Sequence, residues 1–472
     1  MAKLWEKGYQ LNRLIERFTV GQDYLLDREL IFADCFASAA HAKMLASAGL
    51  LSADEAETLR GGLRSIAAAG RLGEFTVLPA DEDGHTAIEA ALTRELGEVG
   101  KKIHTGRSRN DQVLAAVRLY AKEGMHLLQA ALQRLAAVLL EQAEEQAETP
   151  MPGRTHLQIA MPSTVGLWLA ALAEETLDNL DLLESAYQHA DRNPLGSAAS
   201  YGTPLPLDRE MTGELLGFGE VHNNVLATQH GRGKLESEIL GALEQTGLTL
   251  SRYAQDMILF SLPEIGYFSL PEELCSGSSI MPQKRNPDGL ELLRGKAATI
   301  SGRAQAARGL LHGLPTGYNR DLQEAKEPLL RGLREAIDMV LVMTLTVERL
   351  EVHRDRLESA LTAELFATDA AYELVRKGDS FRDAYRTVAG AIDRVVVPPF
   401  ADALTARSST GAPGNLSLDA PRRRLRSARR RLSERVARLH RAAEALIPEA
   451  LPLYPLTDED GALLSRESSL EG

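Results

Sequence analysis

The chain has 472 residues, 44% of them hydrophobic and 25% charged, and 66 acidic against 53 basic side chains leave a formal charge of −13. That length exceeds what one hydrophobic core usually supports, and the acidic balance argues against nucleic acid or an anionic membrane as the main partner. An anionic substrate would need a local basic pocket. Two cysteines, Cys35 and Cys275, are too few for a disulfide framework and lack metal-ligand spacing, which points to a reducing compartment. The opening run MAKLWEKGYQLNRLIERF is charged throughout and has no apolar signal-peptide core, and no apolar run approaches membrane-spanning length. The expectation is a cytoplasmic protein.

In chain order, residues 1–112 carry short helical patterns at Arg28 to Ala48 and Ala53 to Ala69, the second with Ser52 and Glu55 spaced for a capping box. Strand signals are scarce, so an all-α fold is expected. The polar cluster Asp81 to Thr86 precedes a helical pattern over Ala87 to Leu96, and His85 and Thr86 are weak site candidates. Next comes TGRSRNDQ, Thr105 to Gln112. Arginine binds carboxylate through two parallel hydrogen bonds, and serine and asparagine add neutral donors, so the cluster of two arginines two apart, Arg107 and Arg109, with Ser108, Asn110 and Asp111 suits a dicarboxylate; an exposed cap with salt bridges is the plainer reading.

From Val113 to Glu148 the leucines Leu128, Leu132, Leu135 and Leu139 recur at helical spacing, and a helix of that length spans roughly 50 Å. The same habit returns around Leu169 to Leu183, Leu235 to Leu250, Leu290 to Leu311, and Leu333 to Leu345 behind Pro328, which is placed to start a helix. Five such helices predict an elongated bundle over residues 113–361 with surplus apolar faces, hence a homo-oligomer, between smaller helical domains at 1–112 and 362–472.

Polar clusters fall at the helix ends. Met151 to Gly166 reads as a turn forced by proline and glycine, carrying Thr155, His156 and Gln158; histidine suits proton transfer near neutral pH, though a lone surface histidine is common. Gly277 to Asp288, GSSIMPQKRNPD, gathers Ser278, Ser279, Lys284 and Asn286 in a loop whose prolines forbid a continuous helix, and Asp288 is placed to cap the next one. Leu314 to Lys326 gathers Tyr318, Arg320, Gln323 and Lys326. Beyond residue 361, helical patterns at Thr368 to Lys377 and Ser380 to Val396 precede a Gly/Ser/Pro-rich loop, Ala406 to Ala420. The arginine-rich run Arg422 to Arg438 reads as a solvated helix face rather than a nucleic-acid site. There is no glycine-rich phosphate loop, zinc spacing or nucleophile elbow.

GSSIMPQKRNPD resembles the shared motif of the fumarase/aspartase superfamily, and TGRSRNDQ, GRTHLQ and YNRDLQEAK resemble its argininosuccinate lyase and δ-crystallin branch, in order over about residues 20–390. The resemblance implies a homotetramer whose active sites combine three subunits, with no cofactor or metal. It implies reversible β-elimination of argininosuccinate to arginine and fumarate through an aci-carboxylate. Ser278 would be the base, Lys284 and Asn286 would stabilise the intermediate, and His156 would be the acid with Glu291 as partner. Thr155 is a competing donor or a substrate ligand. Ser108, Arg109 and Asn110 would hold the succinyl end, and Tyr318, Gln323 and Lys326 the arginine end. Asp23, Arg154 and the run Gln229 to Arg232 depart from the family pattern, leaving open which side chains hold the amino-acid end. The alternatives are a superfamily lyase for another N-substituted succinate and a non-catalytic structural relative.

Overall fold

The structure is a computed structural model that describes residues 12–454. The first part of the charged N-terminal run, and the outer ends of the two expected terminal domains, lie outside the described residues. The chain begins with α1 (Arg13–Val20), α2 (Asp23–Ser47), α3 (Ala53–Arg71) and α4 (Gly84–Leu96). Ser52 and Glu55 form the expected capping box, each side chain bonding the other's backbone N–H. The five long helices follow: α5 (Arg109–Glu145), α6 (Val165–Ala190), α7 (Lys234–Phe260), α8 (Asp288–Leu310) and α9 (Lys326–Arg349).

Helix α5 packs against α6 and α9, while α7 packs against α6, α8 and α9. Leu128, Leu132, Leu135 and Leu139 are all 0% exposed, and each contributes roughly 1.5–3 kcal/mol of transfer free energy. Gly124 lets α5 pass close to its neighbours, because a Cβ there would lie 2.9 Å from the Tyr454 ring and 3.2 Å from Leu333. Pro328 sits in the first turn of α9, where its missing N–H breaks no helical bond.

Between α5 and α6 the expected turn is instead a β-hairpin, β1 (Pro150–Thr155) paired antiparallel to β2 (Gln158–Thr164). His156 and Leu157 occupy its two-residue turn at φ 53° and 62°, the left-handed conformations that match strand twist. Proline is tolerated because the ribbon has only two strands and both are edges. Two more strand pairs, Arg192–Asn193 with Glu220–Val221 and Phe268–Ser269 with Glu351–Val352, are two residues long. The fold is the expected all-α class with these short additions.

Past the bundle lie α10 (Ala367–Arg376) and α11 (Phe381–Ala389). The expected helix from Ser380 ends at Ala389, before Gly390; the following Val395 to Val397 run leads into Pro398, which disfavours helix in the residue before it. Leu365, Phe366 and Ala403 form a small core of their own. The last helix, α12 (Asp419–Leu446), returns to the bundle and places Leu425, Leu439, Ala443 and Leu446 in the main core. Its arginines are not simply solvated. Arg424 reaches Asp178 at 2.7 Å and Asp181 at 2.8 Å, Arg435 reaches Glu184 at 2.5 Å, and Arg422 reaches Glu144 at 2.6 Å. The acidic α6 face attracts this basic face, while the leucines drive the docking.

Candidate active site

Asp23 and Asp27 stand four residues apart on α2 and so share one face. Between them sits Lys326, first residue of α9, with Nζ 3.0 Å from Asp23 Oδ1 and 2.6 Å from Asp27 Oδ1. Burial alone would lower the lysine's pKa, but the charges of Asp27 and Asp23 outweigh it and the net direction is upward. Burial raises Asp23, more than Lys326 lowers it. Asp27 also accepts from the backbone N–H of Gly84 at 2.8 Å, which fixes the start of α4.

Ser108 caps α5, accepting from Asn110 N, and its own N–H donates to Asp111. Asp111 is a positioning group, since its second oxygen accepts from Gly196 N at 3.0 Å and Ala198 N at 2.9 Å. Arg109 opens the helix and faces Asp83 at 3.2 Å and Glu82 at 3.5 Å, and donates to Thr86 Oγ1 at 3.0 Å. The side chain of Asn110 makes no hydrogen bond among the described residues. Gln323 donates to Thr19 O at 3.2 Å, and the Tyr318 ring lies 5.3 Å from the Arg232 guanidinium.

One cavity of about 200 Å³ brings together Arg109, Asn110, Tyr318, Gln323 and Lys326 with His85, Asp23, Asp27 and Arg232, whereas Ser108, its hydroxyl used as the cap, does not line it. His85 Nδ1 lies 2.5 Å from Asp34 Oδ2, while its Nε2 is buried without a partner. Burial alone would lower the His85 pKa; the adjacent Asp34 charge and hydrogen bond raise it overall. Asp34 is held low by His85 and Arg107 despite the opposing effect of burial, and also accepts from Gln112 at 3.1 Å. Sequence reasoning missed Asp27 and Asp34; the only signal was the four-residue spacing of Asp23 and Asp27. A larger cavity of about 850 Å³ lies against α10 and α11 and contains none of the candidate residues.

The other candidates lie elsewhere. Arg109 begins α5, whereas Thr155 and His156 lie on the hairpin beyond its far end, about 55 Å of helix away. Ser278, Lys284, Asn286 and Glu291 lie before and within the first turn of α8, whereas Tyr318, Gln323 and Lys326 follow its last turn, about 35 Å on. The loop is closed by reciprocal backbone bonds between Ser276 and Asn286 at 3.0 and 2.9 Å. Ser278 Oγ accepts from Ile280 N at 3.4 Å and Met281 N at 3.2 Å, and Lys284 is exposed. Asp288 does not cap α8 as expected: it is the first helical residue, and it accepts from the Ser276 hydroxyl. Within the single chain, Glu291 and His156 share no hydrogen bond or ion pair among the described residues. Arg154 braces the hairpin, donating to Leu157 O at 3.0 Å and Tyr267 OH at 3.2 Å.

The family model described as lyase matches residues 7–302 of this long-helix bundle, which places the chain among the lyases. The chain is 45% identical to argininosuccinate lyase of Sorangium cellulosum (strain So ce56), over 90% of this chain and 98% of that one. It is 44% identical to argininosuccinate lyase of Thermotoga neapolitana, over 82% and 97%. A crystal structure of EDDS lyase in complex with formate superposes with a TM-score of 0.79 at 26% identity, covering 95% of this chain and 97% of that one. The chain belongs to the argininosuccinate lyase family.

Proposed function

We propose that the protein splits argininosuccinate reversibly into arginine and fumarate, in arginine biosynthesis in the cytoplasm. The observation that carries this reading is the cavity joining Arg109, Asn110, Tyr318, Gln323 and Lys326, in a chain 45% identical to argininosuccinate lyase over nearly its whole length. Arg109, Asn110 and Ser108 hold the succinyl end, and Tyr318, Gln323 and Lys326 hold the arginine end. Asp23 and Asp27 offset the charge of Lys326, and with Glu82 and Asp83 they balance Arg109, Arg232 and Arg320 on the same cavity wall.

Ser278 takes the proton from the carbon beside a carboxylate. The electron pair moves towards that carboxylate as an aci-carboxylate, then forms the fumarate double bond as the C–N bond breaks and the guanidinium leaves with a proton. A serine is a weak base in water, so the reading requires a closed, dry loop. Backbone N–H groups donating to Ser278 Oγ favour its anion, and Lys284 and Asn286 place positive charge and donors where charge develops. His156 supplies the leaving-group proton, oriented by Glu291, with Thr155 as second donor or substrate ligand.

Residues separated by the length of the bundle act together only between chains, which supports a homotetramer with shared sites. Leu182, Leu248, Leu292 and Leu345, 37–64% exposed on bundle helices, provide apolar surface for it. The purified protein is expected to release fumarate from argininosuccinate and not from adenylosuccinate, aspartate or malate, followed by absorbance. Release from another of these and none from argininosuccinate would overturn the assignment.

A further inference from the structure

A second cavity, of about 230 Å³, lies on the bundle beside the substrate cavity and is lined by Arg118, Arg192, Lys234, His222, His230 and Glu238, among others. Its innermost residue is Arg118, which is 1% exposed and forms no ion pair among the described residues. Arg118 donates to Arg192 O and, at 3.1 Å, to His222 Nδ1, and its Nε is buried with no partner. Glu236 acts on it only at a distance; that carboxyl is itself buried, its pKa raised by burial, with one oxygen unpartnered. A buried cation whose direct partners are a carbonyl and a neutral ring has no anion in hydrogen-bond contact among the described residues. Gly231 permits this arrangement, since a Cβ there would lie 2.9 Å from Arg118 Nη2.

The rest of the wall reinforces the excess. Three permanent cations line the cavity against one carboxylate, Glu238, which is engaged with His189 at 2.7 Å and lies 3.9 Å from Lys234. Arg192 meets Glu220 at 2.6 Å at the rim. Burial and the cations Arg118, Arg192, Arg209 and Lys234 push His222 down to about 4. It is therefore neutral at pH 7, and because Nδ1 accepts from Arg118, its proton sits on Nε2 as a further donor. His230 Nε2 likewise accepts from Gly317 N at 3.0 Å, so its Nδ1 carries a hydrogen.

We infer that this cavity is a binding site for a phosphoryl oxyanion, separate from the site of elimination. The terminal nitrogens of Arg118 are already committed, and Arg192 is tied through Nε to Glu220, which leaves its outer nitrogens beside the Lys234 ammonium. What remains are point charges and single donors from several directions, which suit a tetrahedral oxyanion. The site neighbours the substrate cavity through His230, which accepts from the backbone N–H of Gly317, the residue before Tyr318 of that cavity.

The test is calorimetric titration of the full-length protein with inorganic phosphate, in parallel with methyl phosphate and with succinate, each with and without saturating fumarate. Expected is one saturable site per chain for phosphate or methyl phosphate, unaffected by fumarate and tighter than for succinate. The tighter of the two phosphates tells a free ion from the phosphoryl group of an organic molecule. Arg192→Gln with Lys234→Gln is expected to weaken binding about tenfold while leaving phosphate-free turnover of argininosuccinate unchanged. The single Lys234→Gln, at a side chain 68% exposed, is expected to fold normally and lose about threefold. Saturable binding by neither phosphate, displacement by fumarate, tighter binding of succinate, or affinity indifferent to both variants would overturn the site.

Discussion

Asp34 is 2% exposed and has four polar neighbours: His85 at 2.5 Å, Gln112 at 3.1 Å, Ser38 at 3.2 Å, and the Arg107 guanidinium, which itself donates to Ser38. The His85 pKa is raised above its ordinary 6.5 and that of Asp34 is lowered below 3.8. The histidine's contribution to stability is thus complete below pH 6.5 and lost as pH rises through the raised folded value. The aspartate's contribution is present above pH 3.8 and lost as pH falls through the depressed one. Together the pair stabilises most between those limits. His85→Gln is expected to cost about 3–5 kcal/mol near pH 6, because it strands a buried carboxylate, and less near pH 9. Urea unfolding of both proteins at fixed protein concentration checks this; a cost equal at the two pH values would remove the charged pair from the account.

At the scale of elements, the hairpin carries Thr155 at the end of β1 and His156 in a turn closed by left-handed backbone at His156 and Leu157, and Gly153 sits at its bulge. A Cβ on Gly153 would lie 2.7 Å from the carbonyl oxygen of Met161, across the ribbon. Gly153→Val is therefore expected to shift the turn and lower kcat/KM on the order of a hundredfold, with far-UV circular dichroism nearly unchanged because the five long helices do not depend on the ribbon. Activity within twofold of the parent would show that the turn's position is immaterial. The long helices were legible because leucines at spacings of three and four mark a buried stripe regardless of tertiary context. The hairpin was not, because Pro150, Pro152, Gly153 and Pro162 suppress the alternation of β-branched residues by which a strand is read. The docking of α12 was hidden likewise: its arginines read as solvent-facing until Asp178, Asp181 and Glu184 on α6 are placed opposite them. The motif residues were legible by type, whereas Asp27 and Asp34 are joined to the cavity only by folding.

For the whole molecule, the decisive quantity is length. Helix α5 puts about 55 Å between Arg109 and the hairpin, and α8 puts about 35 Å between the Ser278 loop and Tyr318. No rotamer change or loop closure bridges such distances, so a site that uses Ser278 and Arg109 on one substrate draws them from different chains. Two inactive variants then become informative together. Ser278→Ala and Arg109→Gln are each expected to lose nearly all turnover while keeping the oligomer, as read by light scattering. If the two are dissociated, mixed in equal amounts and reassembled, each site takes its loop from one chain and its arginine from another. Chance assembly then restores both intact residues in about a quarter of the sites, and turnover returns to about that fraction of the parent's. A site built within one chain would recover nothing, because every chain carries one of the two lesions. Reassembled oligomers with no more activity than the separate variants would therefore refute the shared site, whatever the substrate proves to be.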